Sequence, residues 1–208
     1  MTQVFSTPLP LLAAGQTRTQ LRQILRQLRE TLAQRPQREL ALDHALAREL
    51  RQSPAACIGA YCASRDEYDV LRVLLRTGEE LGWPWRVALP VVHRASHGMR
   101  FHAWRPGEAL RTGAYGIAEP AVAGQALEPD LLLVPCLGFT RDGLRLGYGG
   151  GYYDRYLEHR PQVRTVGLAF EPCRIEDLQP LAHDRLLDVI LTDGGRYGAR
   201  PGAEPAAG

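Results

Sequence analysis

Leu21, Ile24, Leu25, Leu28 and Leu32 recur at intervals of three and four, the spacing of one helical face, and predict a helix from Thr17. Arg18, Arg22, Arg26 and Arg29 fall on the other side, with Arg18 and Arg22 one turn apart, and spacing alone reads them as a solvated basic face. A second helix is predicted over 37–51, stopping before Ser53-Pro54. The apolar run Cys57 to Cys62 has strand length, and 66–81 returns to helical periodicity with Gly82 as its stop. Strands are predicted over Arg86 to Val92 and Met99 to Trp104, and the Gly-, Pro- and Ala-rich stretch 105–127 reads as a surface loop. Asp130 opens a buried strand, Leu131 to Pro135, followed by a turn at 140–143, a Gly-rich segment and a helix over 151–159. Arg164 to Phe170 and Asp188 to Thr192 complete the predicted strands.

Strands alternating with helices over short connections predict an α/β fold: a single domain over 16–197 whose mostly parallel sheet carries helices on both faces, a Rossmann-like three-layer arrangement. Residues 1–15 read as a loose N-terminal arm and 198–208 as a disordered tail. In such sheets ligands sit at the carboxyl ends of the strands, which directs attention to the segment after Pro135.

Composition narrows the chemistry. With 208 residues, 45% apolar and 23% charged, the chain is long enough to bury a core without a disulfide framework or a structural metal. The net charge of +2 gives no broad field for nucleic acid or a membrane surface. All of the basic side chains are arginine, because the chain has no lysine, so Schiff-base chemistry and a P-loop lysine are excluded. No apolar run approaches bilayer length and no export signal precedes the domain, so a cytoplasmic location is expected. Cys57, Cys62, Cys136 and Cys173 form no C-x-x-C pair and read as reduced core thiols.

Residues 145–154 read Arg-Leu-Gly-Tyr-Gly-Gly-Gly-Tyr-Tyr-Asp. Four glycines within 147–151, followed at once by a predicted helix, suit close backbone approach to an anion such as phosphate, and Arg145 adds a planar cation able to grip its oxygens. Neither the Walker A nor the dinucleotide glycine pattern is met. Asp154 reads either as a cap in the first turn of that helix or as a carboxylate holding Mg²⁺ against phosphates. Asp188 is either a strand-end turn residue or a second such carboxylate. Tyr148, Tyr152 and Tyr153 are either core aromatics or walls for a flat heteroaromatic ligand.

The stretch Val134-Pro-Cys-Leu-Gly-Phe, then Asp142-Gly, then Arg145 to Asp154 resembles the 5-formyltetrahydrofolate cyclo-ligase family, with its R-L-G-x-G-x-G-[FY]-Y-D motif. Weaker matches are Arg18-Thr-Gln-Leu-Arg22, Asp66-Glu67, Tyr115-Gly-Ile-Ala-Glu-Pro120, and His183-Asp184 through Asp188 to Thr192. The resemblance runs over about 16–193. It implies ATP- and Mg²⁺-dependent closure of 5-formyltetrahydrofolate to 5,10-methenyltetrahydrofolate, with ATP and the folate as partners and a monomeric enzyme. It further implies that Arg18, Arg22, Arg145, Leu146, Gly147, Tyr148, Gly149, Gly150, Gly151, Tyr152 and Tyr153 bind ATP, Arg145 being catalytic. Cys62, Glu67, Trp104, Tyr115 and Tyr152 would contact the folate, and Asp154 and Asp188 the metal. Three positions depart from the family: Arg18 where lysine is frequent, Gly150 where some members carry lysine, and Cys136 in place of a small residue. A different ATP-dependent ligase or kinase, a catalytically silent binder of folate or nucleotide, and an RNA-associated module are the competing classes.

Overall fold

The computed structural model describes residues 15–122 and 124–198; the predicted arm and tail lie almost wholly outside them. Helices α1 (Arg18–Glu30), α2 (Arg35–Arg51) and α3 (Val70–Leu81) precede or separate strands β1 (Cys57–Gly59), β2 (Arg86–His93) and β3 (Gly98–Trp104). Short strands β4 (Leu110–Thr112), β5 (Ala118–Pro120) and β6 (Ala126–Leu127) come next, then β7 (Leu131–Pro135), a hairpin of β8 (Gly138–Phe139) and β9 (Arg145–Leu146), and α4 (Tyr152–Glu158). Strands β10 (Arg164–Leu168), β11 (Val189–Leu191) and β12 (Arg196–Tyr197) end the regular structure.

The main sheet runs β12-β11-β10-β7-β1-β2-β3-β6. Its five central strands are parallel, and β12, β3 and β6 are antiparallel at the edges. Alternation sorts the strand residues between two cores. Ile58, Val87, Leu89, Leu131, Leu133, Val166, Leu168, Val189 and Leu191 face α1, α2 and α3, whereas Cys57, Ala88, Leu132, Val134 and Ile190 face α4 and Phe139 of the hairpin. The result is the expected three-layer α/β domain. No helix among the described residues is long and apolar enough to cross a membrane.

Local chemistry sets the element ends. Thr17 caps α1 through a reciprocal capping box with Gln20. Asp69 caps α3 by accepting from the amides of Leu71 and Arg72, so 66–69 form a turn before the helix rather than its first residues. The stretch 105–127, expected to be loop, holds β4 and β5 as a separate ribbon and β6 on the sheet edge. These strands are two or three residues long, too short for alternation to show in composition. All four cysteines are buried and free.

Gly59 marks the tightest packing in the parallel core: a Cβ there would lie 2.4 Å from Leu132 Cδ2, 2.8 Å from Pro129 Cγ and 3.0 Å from Phe101 Cε1. Gly59→Ala is expected to lower the unfolding free energy by about 1–3 kcal/mol through overpacking. Urea denaturation checks it, as a lower midpoint with an unchanged slope.

Candidate functional site

The segment after β1, the Gly-rich turn after β9 and the β2–β3 connection gather at the carboxyl ends of the parallel strands, and α1 runs across the first two. Arg22 Nε donates to the Gly147 carbonyl at 2.9 Å and Arg26 Nη2 to the Tyr148 carbonyl at 3.4 Å. Arg18 reaches the other way, with Nη1 3.1 Å from Asp184 Oδ1, Nη2 on Asp184 Oδ2, and Nη2 2.9 Å from the Gln179 carbonyl. Two guanidiniums thus line one edge of the turn, and a third is turned to Asp184. Burial lowers the Arg22 pKa, and the positive charges of Arg18 and Arg26 lower it further.

The basic face is not wholly solvated. Arg29 is buried at 3% exposure, on the same helical row as Leu21 and Leu25. Its Nε lies 3.2 Å from Asp66 Oδ2, and its Nη groups donate to the Asp66 carbonyl at 2.7 Å, the Cys136 carbonyl at 3.3 Å and Tyr148 Oη at 2.9 Å. The four-residue spacing of Leu21, Leu25 and Arg29 is the available signal that this arginine belongs to the apolar stripe.

Arg145 is buried, and its Nη2 lies 3.0 Å from Asp154 Oδ1 in the first turn of α4. Its Cζ stands 5.9 Å from the Tyr153 ring centre. The Tyr153 hydroxyl is buried without a hydrogen-bond partner, and burial raises its pKa. Gly149 takes φ +107°, a conformation costly for any L side chain, and the Arg22 guanidinium lies 3.6 Å from where its Cβ would stand.

Glu67 Oε2 accepts from the Ser64 amide at 2.7 Å. Burial raises the Glu67 pKa, against the pull of Ser64, the Tyr148 hydroxyl and Arg29. Cys62 follows β1 into the same region, but it is buried and its thiol is pushed up to about 11 by burial. At the outer rim Tyr115 Oη and Tyr152 Oη are 2.8 Å apart. Arg94 stacks on the first ring and Arg155 on the second, at 4.8 and 5.0 Å. Arg155 also ties the Gly150 carbonyl to that of His97, at 2.7 and 3.0 Å. Nothing in the sequence pattern singles out Arg94 or Arg155, and the pattern gives Asp184 a place in a matched stretch but no partner.

Two expected residues lie elsewhere. Trp104 ends β3, which is antiparallel to β2, so it pairs with Val87 at the amino-terminal end of the parallel strands and donates from Nε1 to the Glu108 carbonyl. It therefore cannot wall a site at their carboxyl ends. Asp188 precedes β11 and accepts from Thr165 N at 2.9 Å and Thr165 Oγ1 at 3.0 Å, again at the amino-terminal end. It is a strand-end residue, and the structure does not bring it to Asp154.

The sequence profile of the 5-formyltetrahydrofolate cyclo-ligase family matches residues 13–193. The 5-formyltetrahydrofolate cyclo-ligase of Haemophilus influenzae is 36% identical over 114 residues, 51% of this chain and 59% of that relative, so that match spans less than two thirds of the relative's length. The Escherichia coli K12 protein of the same name is 30% identical over 182 residues, 81% of this chain and 96% of its own. The solution structure of Aquifex aeolicus 5,10-methenyltetrahydrofolate synthetase superposes with a TM-score of 0.69 at 26% identity, covering 91% of this chain and 96% of that one.

Removing one partner of a buried charge pair leaves the other uncompensated. Arg29→Met is accordingly expected to destabilise the domain by about 3–5 kcal/mol. The thermal melt checks this, and Arg26→Met, which removes only a long contact to a carbonyl, should move it far less.

Proposed function

The chain belongs to the 5-formyltetrahydrofolate cyclo-ligase family, and from that premise we propose that it uses ATP to close 5-formyltetrahydrofolate to 5,10-methenyltetrahydrofolate, releasing ADP and phosphate. One observation carries this reading: Arg22 and Arg26 of α1 are fixed on the carbonyls of the Gly-rich turn, while Arg29 of the same helix joins Tyr148 of that turn to Asp66, the neighbour of Glu67. A cationic phosphate cradle and a buried carboxylate acceptor for a nitrogen-rich ring are thereby adjacent.

The chemistry asked of such a site is modest. A formamide oxygen leaves poorly, so it must first be phosphorylated: the formyl oxygen attacks the γ-phosphorus and ADP departs. The folate nitrogen at position ten then attacks the formyl carbon, and the carbon–oxygen bond breaks with loss of phosphate. Phosphoryl transfer needs in-line positioning and neutralisation of charge on the transferred group. Arg22, on the helix side of the turn, and Arg145 supply fixed, always-protonated charge for this, and the amides of Tyr148 and Gly149 supply directional donors on the side away from the helix. Glu67 accepts from the donor nitrogens of the pterin. Tyr115 and Tyr152 wall the outer side.

Asp154 is a carboxylate beside the turn, and no group of three histidine, cysteine, aspartate or glutamate side chains that could hold a metal is assembled among the described residues. That donor set fits Mg²⁺ arriving with the nucleotide, held by Asp154 and phosphate oxygens, and not a cage made by protein alone. When bound, Mg²⁺ supplies charge stabilisation to the phosphates.

The direct experiment mixes purified protein with ATP, Mg²⁺ and 5-formyltetrahydrofolate and follows methenyltetrahydrofolate absorbance; no turnover defeats the proposal. Asp154→Asn is expected to lower turnover on the order of a hundredfold at limiting Mg²⁺. Wild-type activity in that variant would reduce Asp154 to a helix-end residue paired with Arg145. Gly149→Ala should raise KM for ATP several-fold through its positive φ. A Cβ at Gly147 would meet nothing within 4 Å, so Gly147→Ala should leave that constant near wild type, and steady-state kinetics separate the two.

A further inference from the structure

We infer that Arg155 is a positioning residue for the phosphate-binding turn: its guanidinium straps the Gly150 carbonyl to the β2–β3 connection, and the Gly151 amide is thereby presented to a phosphate oxygen. The inference rests on the nucleotide reading above and deepens it.

The peptide between Gly150 and Gly151 is the least constrained part of the turn. Neither residue carries a Cβ, so the plane between them reverses at little steric cost. Arg155 removes that freedom. Its Nη2 donates to the Gly150 carbonyl at 2.7 Å, and its own amide donates to the Gly151 carbonyl at 3.1 Å. Its Nε donates to the His97 carbonyl at 3.0 Å, so the guanidinium is anchored on a segment outside the turn. The Tyr152 ring, with its centre 5.0 Å from the guanidinium carbon, covers a further side. Glycine at 151 makes this approach possible: it holds φ +66°, and a Cβ there would lie 2.6 Å from Arg155 Nη1.

The direction of the donor follows from trans geometry. With the Gly150 carbonyl turned to Arg155, the Gly151 amide points the opposite way, away from the β2–β3 connection. That amide has no hydrogen-bond partner among the described residues, so it is free for an anion. The strap is also part of a closed ring of contacts. The β2–β3 connection carries Arg94, which stacks on Tyr115 at 4.8 Å, and the Tyr115 and Tyr152 hydroxyls are 2.8 Å apart. Arg155 returns from Tyr152 to His97 and is the member of the ring that grips the turn. Arg22 and Arg26 fix the Gly147 and Tyr148 carbonyls from α1, and Arg155 does the same for Gly150 from α4.

The test is calorimetric titration of the full chain with Mg²⁺-ATP and, separately, with inorganic triphosphate, both without folate. Arg155→Met is expected to raise both dissociation constants about tenfold, through loss of one fixed hydrogen bond to a charged oxygen. Arg155 is exposed, so the thermal melt should stay cooperative and move little. In protein labelled with ¹⁵N-glycine, the Gly151 amide should shift downfield when either ligand is added to wild type and stay in place in Arg155→Met. Arg155→Lys keeps the charge but offers no planar fork to hold both carbonyls, so it should recover only part of the lost affinity. Full recovery by lysine would make the charge alone sufficient and overturns the positioning role. Unchanged affinity in Arg155→Met overturns it too, as does a loss confined to ATP, which would place the effect on the base through Tyr152. A wild-type Gly151 amide unmoved by a ligand that binds overturns it without recourse to any variant. Wild-type protein that binds neither ligand instead overturns the nucleotide reading itself.

Discussion

A buried guanidinium has to be satisfied on every side, and Arg29 is that constraint here. It sits at 3% exposure on the covered face of α1; its Nη groups donate to the Asp66 carbonyl, the Cys136 carbonyl and the Tyr148 hydroxyl, and its Nε faces the Asp66 carboxylate as an ion pair at 3.2 Å. These partners come from the segment after β1, the end of β7 and the Gly-rich turn. An unpaired charge at this depth would cost several kcal/mol, so the three segments are pinned to one point. The Phe170 ring, 5.5 Å from the guanidinium carbon, closes a further side with its negative face. The loops that carry the candidate chemistry are thus held by the interior and not left to their own stiffness.

That arrangement explains how a chain with a net charge of only +2 builds a strongly cationic locus. Arg18, Arg22 and Arg26 lie along one edge of α1, and their mutual repulsion shows in the lowered pKa of Arg22, to which burial contributes most. Asp184 answers Arg18, but Arg22 and Arg26 reach carbonyl oxygens of the turn. A triphosphate would relieve that repulsion as well as supply hydrogen-bond acceptors. Charge is concentrated by placement, and the sum over the chain conceals it.

The parallel strands are legible in the sequence because their apolar runs are continuous and their alternation sorts Leu131 and Leu133 from Leu132 and Val134. The Gly-rich turn is legible from glycine density alone. Arg29 is not, because a helical wheel gives its face but not the depth at which the face is covered. Trp104, given to the site by the family resemblance, and Asp188 fall elsewhere for a different reason: periodicity identifies a strand without saying which of its ends lies at the carboxyl side of the sheet. The antiparallel turn between β2 and β3 sends Trp104 to the amino-terminal end, and Asp188 enters β11 at that same end. The β4–β5 ribbon is invisible because three-residue strands carry no period.

The glycine turn owes its orientation to α1. In a trans peptide the carbonyl of one residue and the amide of the next point in opposite directions. With the Gly147 carbonyl held by Arg22 and the Tyr148 carbonyl by Arg26, the amides of Tyr148 and Gly149 are turned away from the helix. The side of the turn that offers donors to an anion is therefore decided by residues more than a hundred positions earlier in the chain. Glycine at 149 is what lets the backbone complete this reversal, since its φ of +107° comes directly after the two fixed carbonyls. Helix and turn are one device: the arginines set the donor direction, and the turn in return supplies the phenol that accepts from Arg29.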